Sequence, residues 1–446
     1  MKKYNQKTYF LASLGCAKNT VDSESMAILL NSAGYYPVDD PKKADVMIVN
    51  TCGFIHDARD ESIQVLKDLS KWKRKNQVLL AAGCLPQRDA ELITSSVPKI
   101  DGLLSTRRWM QIVGFIEQIR AKTSNHAVYN IPGEDQPISE PTGVLRAAVQ
   151  GGSAYLKIAD GCRRACAYCS IPIIKGPASS RSIEEILNDA RRLEAAGVNE
   201  LILIAQDTTD YGFDLGMKDG ISVLLEKLVK EAPAIPWIRL MYTYPGFVTD
   251  RLIDLMASEK QILPYLDMPL QHAHPEVLKS MNRPADMDWV RRTLETMRSK
   301  IPNLALRTTV IVGYPTETDA YFSALNEFAR EIRFDHLGAF TYSYEPGTRG
   351  APLGDPIPEE VKDLRLQQLM ETQEKISLEI NQSFLGKEMQ ILIDGAGDGI
   401  SVGRTYRDAP EVDGLVILKG ESEVGKIVNA RITQAMAHDF TAEFIN

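Results

Sequence analysis

Three short apolar runs near the start of the chain each lead into a cysteine: LASLGC at Cys16, IVNTC at Cys52 and LAAGC at Cys84. They belong to predicted strands at Lys7–Gly15, Asp45–Asn50 and Val78–Gly83, with a fourth at Ile100–Ser105. Helical periodicity appears near 21–33, 57–75, 88–95 and 108–121, between and after these strands. Such alternation builds an open parallel α/β sheet with right-handed crossovers. The carboxyl ends of the strands in an open parallel sheet line its ligand crevice. Three thiols remote in sequence are therefore predicted to meet along one edge.

Residues 122–153 carry KTSNH, IPGEDQPISEPTG and QGGS, turn formers without sustained periodicity, and read as a linker. Alternation then resumes. Tyr155–Ala159, Leu201–Ala205, Trp237–Tyr242, Leu263–Met268, Ala305–Val312 and Leu337–Tyr342 are predicted strands, separated by helical stretches. One of these helices opens with Ser182 and Glu185 at capping-box spacing. Six strand-helix units are too few for a closed eight-unit barrel, so the expectation is a partial (β/α) barrel with its site at the strand carboxyl ends. From about residue 384, short strands broken by Gly, Asp and Pro indicate a small antiparallel β-barrel. The expected domains are 1–121, a linker at 122–153, 154–376 and 377–446.

A chain of 446 residues is long enough for several cores, and its net charge of −8 opposes a general nucleic-acid grip and favours a basic partner. No apolar run approaches the roughly 20 residues of a membrane span, and no secretory pattern opens the chain. A cytoplasmic location follows, where thiols stay reduced. The six cysteines therefore call for a chemical explanation.

The second triplet is compact: Asp160-Gly161-Cys162-Arg-Arg-Ala-Cys166-Ala-Tyr168-Cys169, in the loop after the first barrel strand. Three thiolates on one loop hold three corners of a 4Fe-4S cube and leave one iron open. The amino and carboxylate groups of S-adenosylmethionine can chelate that iron, and an electron from the cluster then cleaves the sulfonium to a 5'-deoxyadenosyl radical. A structural zinc site would need a fourth Cys or His, and the residues after Cys169 offer none. For Cys16, Cys52 and Cys84 the alternatives are buried apolar cysteines or a zinc site completed by His56.

Polar residues at the barrel rim are candidates by position: Gln206 and Asp207, Gln271 and His272, and Arg307 within the fifth strand. For Asp207 and His272 helix capping or surface hydrogen bonding is the favoured reading. Gly313 in VIVGYPTET either lets backbone approach a nucleotide or serves a tight turn. KWKRK at 71–75 reads as a solvated helix end.

The CX3CX2C loop, with an aromatic before its last cysteine, resembles the radical-SAM superfamily, in which that aromatic, here Tyr168, lies against the adenine. The whole chain from about residue 7 resembles the methylthiotransferases, which join an N-terminal cluster domain, a radical-SAM core and a C-terminal TRAM domain. SLGCAKN at 13–19, Asp22-Ser-Glu24, NTCGF at 50–54, GCLPQR at 83–88, KIADGC at 157–162 and Gln206-Asp-Thr208 are similar to the RimO-type branch. The stretch at 174–181, IKGPASSR, departs from the family by having fewer arginines.

The resemblance implies two 4Fe-4S clusters, one carrying sulfur and one making the radical. One S-adenosylmethionine would supply the radical and another the methyl group. The implied substrate is an aspartate of small-subunit ribosomal protein S-twelve, with a flavodoxin or ferredoxin as electron donor and a separate sulfur donor. No residue is assigned a catalytic role. The alternatives are the MiaB-like branch, which modifies tRNA adenosine, and a zinc-stabilised RNA-binding assembly factor. Residues 384–446 carry six Lys or Arg against ten Asp or Glu, a net of −4. That charge suits a basic protein substrate better than phosphate. Glu411, Asp413, Glu421 and Glu423 are expected to form the acidic face, and truncation near residue 380 is expected to spare both clusters.

Overall fold

The computed structural model describes residues 7–123, 126–133 and 143–445. Part of the expected linker, at 124–125 and 134–142, lies outside the described residues. The chain packs as two compact units. One comprises Met1–Ala148, Ala159–Ser179 and Glu345–Thr348, the other Val149–Ile158, Ser180–Tyr344 and Arg349–Asn446.

The first unit is built on six parallel strands: β1 (Lys7–Ser13), β2 (Tyr35–Pro37), β3 (Val46–Thr51), β4 (Val78–Gly83), β5 (Gly102–Ser105) and β6 (Val128–Asn130), in the order β2-β1-β3-β4-β5-β6. Side chains alternate between two cores. Val46, Ile48 and Leu80 enter one, whereas Met47, Val49, Leu79 and Ala81 enter the other. A sheet buried on both faces explains why these strands read as continuous apolar runs. The edge strands β2 and β6 were not expected from sequence, because three residues carry too little period-2 signal.

After β7 (Ala147–Gln150) and β8 (Ser153–Lys157), the cysteine loop lies between β9 (Ala159–Asp160) and β10 (Ser179–Ser180). The second unit then adds β11 (Glu200–Ile204), β12 (Trp237–Leu240), β13 (Ile262–Asp267), β14 (Ala305–Val312) and β15 (His336–Thr341). Its sheet runs β15-β14-β13-β12-β11-β8-β7, and β8 and β11–β15 are parallel, as a partial barrel requires. Ser182 caps its helix as the sequence indicates, accepting from the Glu185 amide. The 24-residue helix Glu359–Gln382 escaped the sequence reading because it buries Lys362, Arg365, Thr372, Gln373, Ser377 and Asn381, which leaves no apolar stripe. The expected boundary at 377 falls inside it.

The last five strands, β16 (Glu388–Gly397), β17 (Ile400–Arg404), β18 (Val416–Lys419), β19 (Ile427–Ala435) and β20 (Phe440–Phe444), close into a barrel in the order β16-β17-β18-β20-β19. It is not wholly antiparallel: β18 and β20 run parallel. Directions cannot alternate all the way round a ring with an odd number of strands, so one parallel pair is a geometric necessity.

The loop after β17 packs against strands of the partial barrel. Tyr155 donates to the Pro410 carbonyl at 3.3 Å, Arg239 to that of Tyr406 at 2.9 Å, and Tyr265 to the Asp413 carboxylate at 2.7 Å. Asp413 is therefore not part of an exposed acidic face. Its side chain is 1% exposed and pairs with Arg307 at 3.1 Å. Glu411, Glu421 and Glu423 are exposed. Truncation near 380 would strip this packing from the core and leave Arg307 and Tyr265 without these partners. Such a variant is expected to be destabilised.

Glu200 anchors the same junction. Its carboxylate meets Arg239 at 2.7 Å, Arg404 at 2.9 Å and Ser153 at 2.8 Å, all buried. Burial alone would raise its pKa, but the two guanidiniums outweigh that and bring it from 4.5 down to about 2. A depressed carboxyl pKa contributes stability above the unfolded-state value, and this is lost as pH falls from about 4.5 toward 2. Glu200→Gln should lower unfolding stability by about 3 kcal/mol at pH 7. Denaturation at pH 7 and pH 3 checks this: the gap between wild type and variant should shrink at the lower pH.

Candidate functional site

The first triplet lies where the sheet predicts, at the carboxyl ends of the adjacent strands β1, β3 and β4. Cys16 is exposed at the N-cap of the helix Ala17–Ser32, Cys52 follows β3 directly, and Cys84 opens the helix Cys84–Arg88 and is buried. Buried amides brace this edge. Asn19 donates to the carbonyls of Leu14 at 2.8 Å and Thr51 at 3.0 Å, while Asn50 donates to the Asn19 carbonyl at 2.9 Å. Gly15 has φ +89, and a Cβ there would lie 2.9 Å from that of Cys52. Glycine thus lets the Cys16 turn press onto Cys52.

Burial pushes the Cys84 thiol up to about 12, with the Lys175 ammonium opposing and Cys52 and Cys16 reinforcing the shift. Burial also raises Cys52, against donation from the Phe54 amide. A Cβ at Gly15 would also lie 3.1 Å from the Cys52 sulfur, and the Cys84 thiol donates to the side chain of Asn19, three residues past Cys16, at 3.6 Å, so the three residues share one neighbourhood. Their donor chemistry suits iron, which deprotonates a thiol on binding. His56 does not complete a zinc site: its side chain is 64% exposed and faces Asp60 at 3.3 Å. Among the described residues, no three His, Cys, Asp or Glu side chains gather as ligands of a single ion. A cube spreads its ligands over separate iron corners and does not require that convergence.

The second triplet belongs to the same compact unit. The Cys162 amide donates to the Gly176 carbonyl at 3.0 Å, and that of Cys169 to the Cys166 carbonyl at 3.1 Å. The Arg164 amide donates to the Cys162 sulfur at 3.4 Å. Cys166 is buried, and Cys162, Tyr168 and Cys169 are half-buried. Gly161 has φ +74, and a Cβ there would lie 2.0 Å from the Pro177 carbonyl oxygen, so the Asp-Gly-Cys turn accepts no larger residue.

Two cations that the sequence reading missed connect the triplets. Lys175 is buried and donates to Asp22 at 3.0 Å, on the helix after Cys16, and to Asp160 at 3.1 Å, two residues before Cys162. Burial would lower its pKa, but Asp160 and Asp22 hold it well above the ordinary lysine value. Arg88 donates to the carbonyls of Gly53 at 2.6 Å and Phe54 at 2.7 Å, and to the Ser170 hydroxyl at 3.2 Å. The signal that would have found these residues is pairing between distant segments, which a single sequence does not display.

The remaining candidates lie in the second unit. Gln206 is half-buried past the end of β11. Gln271 has φ +75 and is fixed by its amide to the Thr309 carbonyl and by its carbonyl to the Ile311 amide, each at 2.8 Å. Tyr242, past β12, shares the strained sign with φ +60, and its amide donates to Asp267 at 3.0 Å. Non-glycine residues held in this region mark over-determined places, and here both are at strand carboxyl ends.

Arg307 departs from the rim expectation. It lies near the amino end of β14 and binds Asp267 at 2.9 Å and Asp413 at 3.1 Å, so its guanidinium ties strands to the C-terminal barrel. Asp207 caps the turn at 208–210, accepting from the Asp210 amide at 3.2 Å. His272 is buried against Glu317 at 2.9 Å. Gly313 has φ +74, donates its amide to Glu317 at 2.8 Å, and would place a Cβ 2.4 Å from the Lys362 side chain, which by itself requires glycine.

Three family profiles match: the Uncharacterized protein family UPF0004 over residues 8–105, the Radical SAM superfamily over 156–329 and the TRAM domain over 385–445. The chain is 43% identical to "Ribosomal protein uS12 methylthiotransferase RimO" of Roseiflexus sp. (strain RS-1), over 98% of this chain and 97% of that protein. It is 44% identical to the protein of the same name from Chloroflexus aurantiacus, over 98% of this chain and all of that one. The chain belongs to the RimO methylthiotransferase family. Members with this domain set are S-adenosylmethionine-dependent methylthiotransferases that use iron-sulfur chemistry. The fold also resembles the solved radical S-adenosylmethionine methyltransferase TsrM from Kitasatospora setae, with TM-score 0.58 and 13% identity over 92% of this chain and 80% of that one.

Proposed function

We propose that this chain adds a methylthio group to the β-carbon of an aspartate in ribosomal protein uS12. The observation that carries the reading is the placement of both cysteine triplets in one compact unit. Near full-length similarity to relatives named for that reaction supports it. Cys16, Cys52 and Cys84 would hold one 4Fe-4S cluster, and Cys162, Cys166 and Cys169 a second with an open iron for S-adenosylmethionine. When bound, these groups supply the radical, the sulfur and the methyl group. Tyr168 would lie against the adenine. Lys175 supplies buried positive charge between the triplets.

Among the described residues, no helix is long and apolar enough to cross a membrane. The reaction is placed in the cytoplasm, with a flavodoxin or ferredoxin as electron donor and a separate sulfur donor. The working division is 1–121 for the sulfur-bearing part, 122–153 for the linker, 154–376 for the radical part and 377–446 for the TRAM-like barrel. The exposed Glu411, Glu421 and Glu423 suit a basic ribosomal protein.

The direct test incubates the reconstituted enzyme with purified uS12 and, separately, with tRNA, and analyses both by mass spectrometry. One methylthio group should appear on a uS12 aspartate and none in the tRNA. Methylthiolated adenosine with unmodified uS12 would overturn the reading.

A further inference from the structure

Arg88 touches the neighbours of a cysteine in each triplet. Gly53 and Phe54, whose carbonyls it binds, follow Cys52 directly, and Ser170, whose hydroxyl it binds, follows Cys169 directly. Ser170 is fully buried and also donates to the Phe54 carbonyl at 3.2 Å. The other end of the Arg88 guanidinium is taken by Glu345 at 2.5 Å. Glu345 comes from 257 residues away in the sequence, in a short segment that packs with this unit. Its carboxylate, 2% exposed, also pairs with Arg59 and accepts from the His56 amide at 3.0 Å, at the start of the helix after the Cys52 loop.

Such a cluster costs desolvation and is strongly destabilised by removing one partner. It therefore fixes geometry more than it adds net stability. Two arginines on one carboxylate, with five donors on each planar fork, leave little freedom in direction.

We propose that the Arg88–Glu345 pair is a positioning strut that sets the separation of the two cysteine loops and thereby couples radical formation to sulfur insertion. This role rests on the two-cluster reading above. The strut acts through Gly53, Phe54 and Ser170, and losing its rigidity shifts one loop relative to the other without removing a ligand. Because a displacement of about 1 Å in a reacting geometry can cost on the order of 100-fold, the penalty falls on the step that needs both loops.

The test uses full-length, anaerobically reconstituted Glu345→Gln. Iron content and reductive S-adenosylmethionine cleavage should stay within about twofold of wild type, while methylthio product formed per 5'-deoxyadenosine falls about 10- to 100-fold. The magnetic interaction between the two reduced clusters, read by electron paramagnetic resonance, should change with it, and Glu345→Asp should recover part of both. Ser170→Ala, which leaves the ion pair in place, should shift the product ratio in the same direction. An unchanged ratio and an unchanged cluster interaction in Glu345→Gln with both clusters present would overturn the proposal. So would loss of iron from that variant, which would make the pair a support for cluster binding. A wild-type enzyme carrying one cluster would overturn the two-cluster reading and this role with it.

Discussion

Replacing Cys162, Cys166 and Cys169 together by alanine should abolish 5'-deoxyadenosine production while leaving the first triplet loaded. The three thiols sit on one loop braced by the Cys162 amide on the Gly176 carbonyl and by the buried ion pair of Lys175 with Asp160, and the substitutions touch neither. The loop should keep its path. Iron content should fall from about eight to about four per chain if each triplet holds a 4Fe-4S cube. Retention of four irons serves as the folding control. Continued deoxyadenosine release would show that the radical does not arise at this loop.

The complementary Cys16, Cys52, Cys84 triple alanine variant should behave in the opposite way. It should still cleave S-adenosylmethionine reductively and should form no methylthio product. Of these thiols only Cys84 is buried. The Asn19 and Asn50 amide nitrogens that brace the edge donate to backbone carbonyls, and only the Cys84 thiol's bond to the Asn19 oxygen at 3.6 Å is lost, so the edge survives the loss of the sulfurs. Iron analysis, deoxyadenosine release and mass spectrometry of uS12 on one preparation decide the matter. Full product from a folded variant that keeps its second cluster would make the first triplet structural.

Part of this architecture is local and was legible in the sequence. Of the strands that carry the first triplet, β3 and β4 are fully buried and β1 is largely half-buried, so hydrophobic pattern alone marked them, and parallel topology then put their cysteines on one edge. The second triplet needed only spacing, because its three cysteines fall within eight consecutive positions. The six central strands likewise appeared within a few residues of where periodicity indicated.

What the tertiary structure decided lies in pairings between distant segments and in polar groups spent on packing. The helix Glu359–Gln382 shows no stripe because its buried face is mostly polar, with only Leu369 and Ile376 apolar, and three-residue edge strands have no period to show. Asp413 and Arg307 looked like an exposed acid and a rim ligand, yet they bind one another where the loop after β17 packs on the strands. Lys175, Arg88 and Glu345 had no role assigned from sequence, although the first two lie in quoted motifs, and their roles stand out only once the fold brings their partners together. Local pattern reports which face of an element is apolar. It carries no record of which distant carboxylate a buried cation meets, and only the closed packing of the chain determines that.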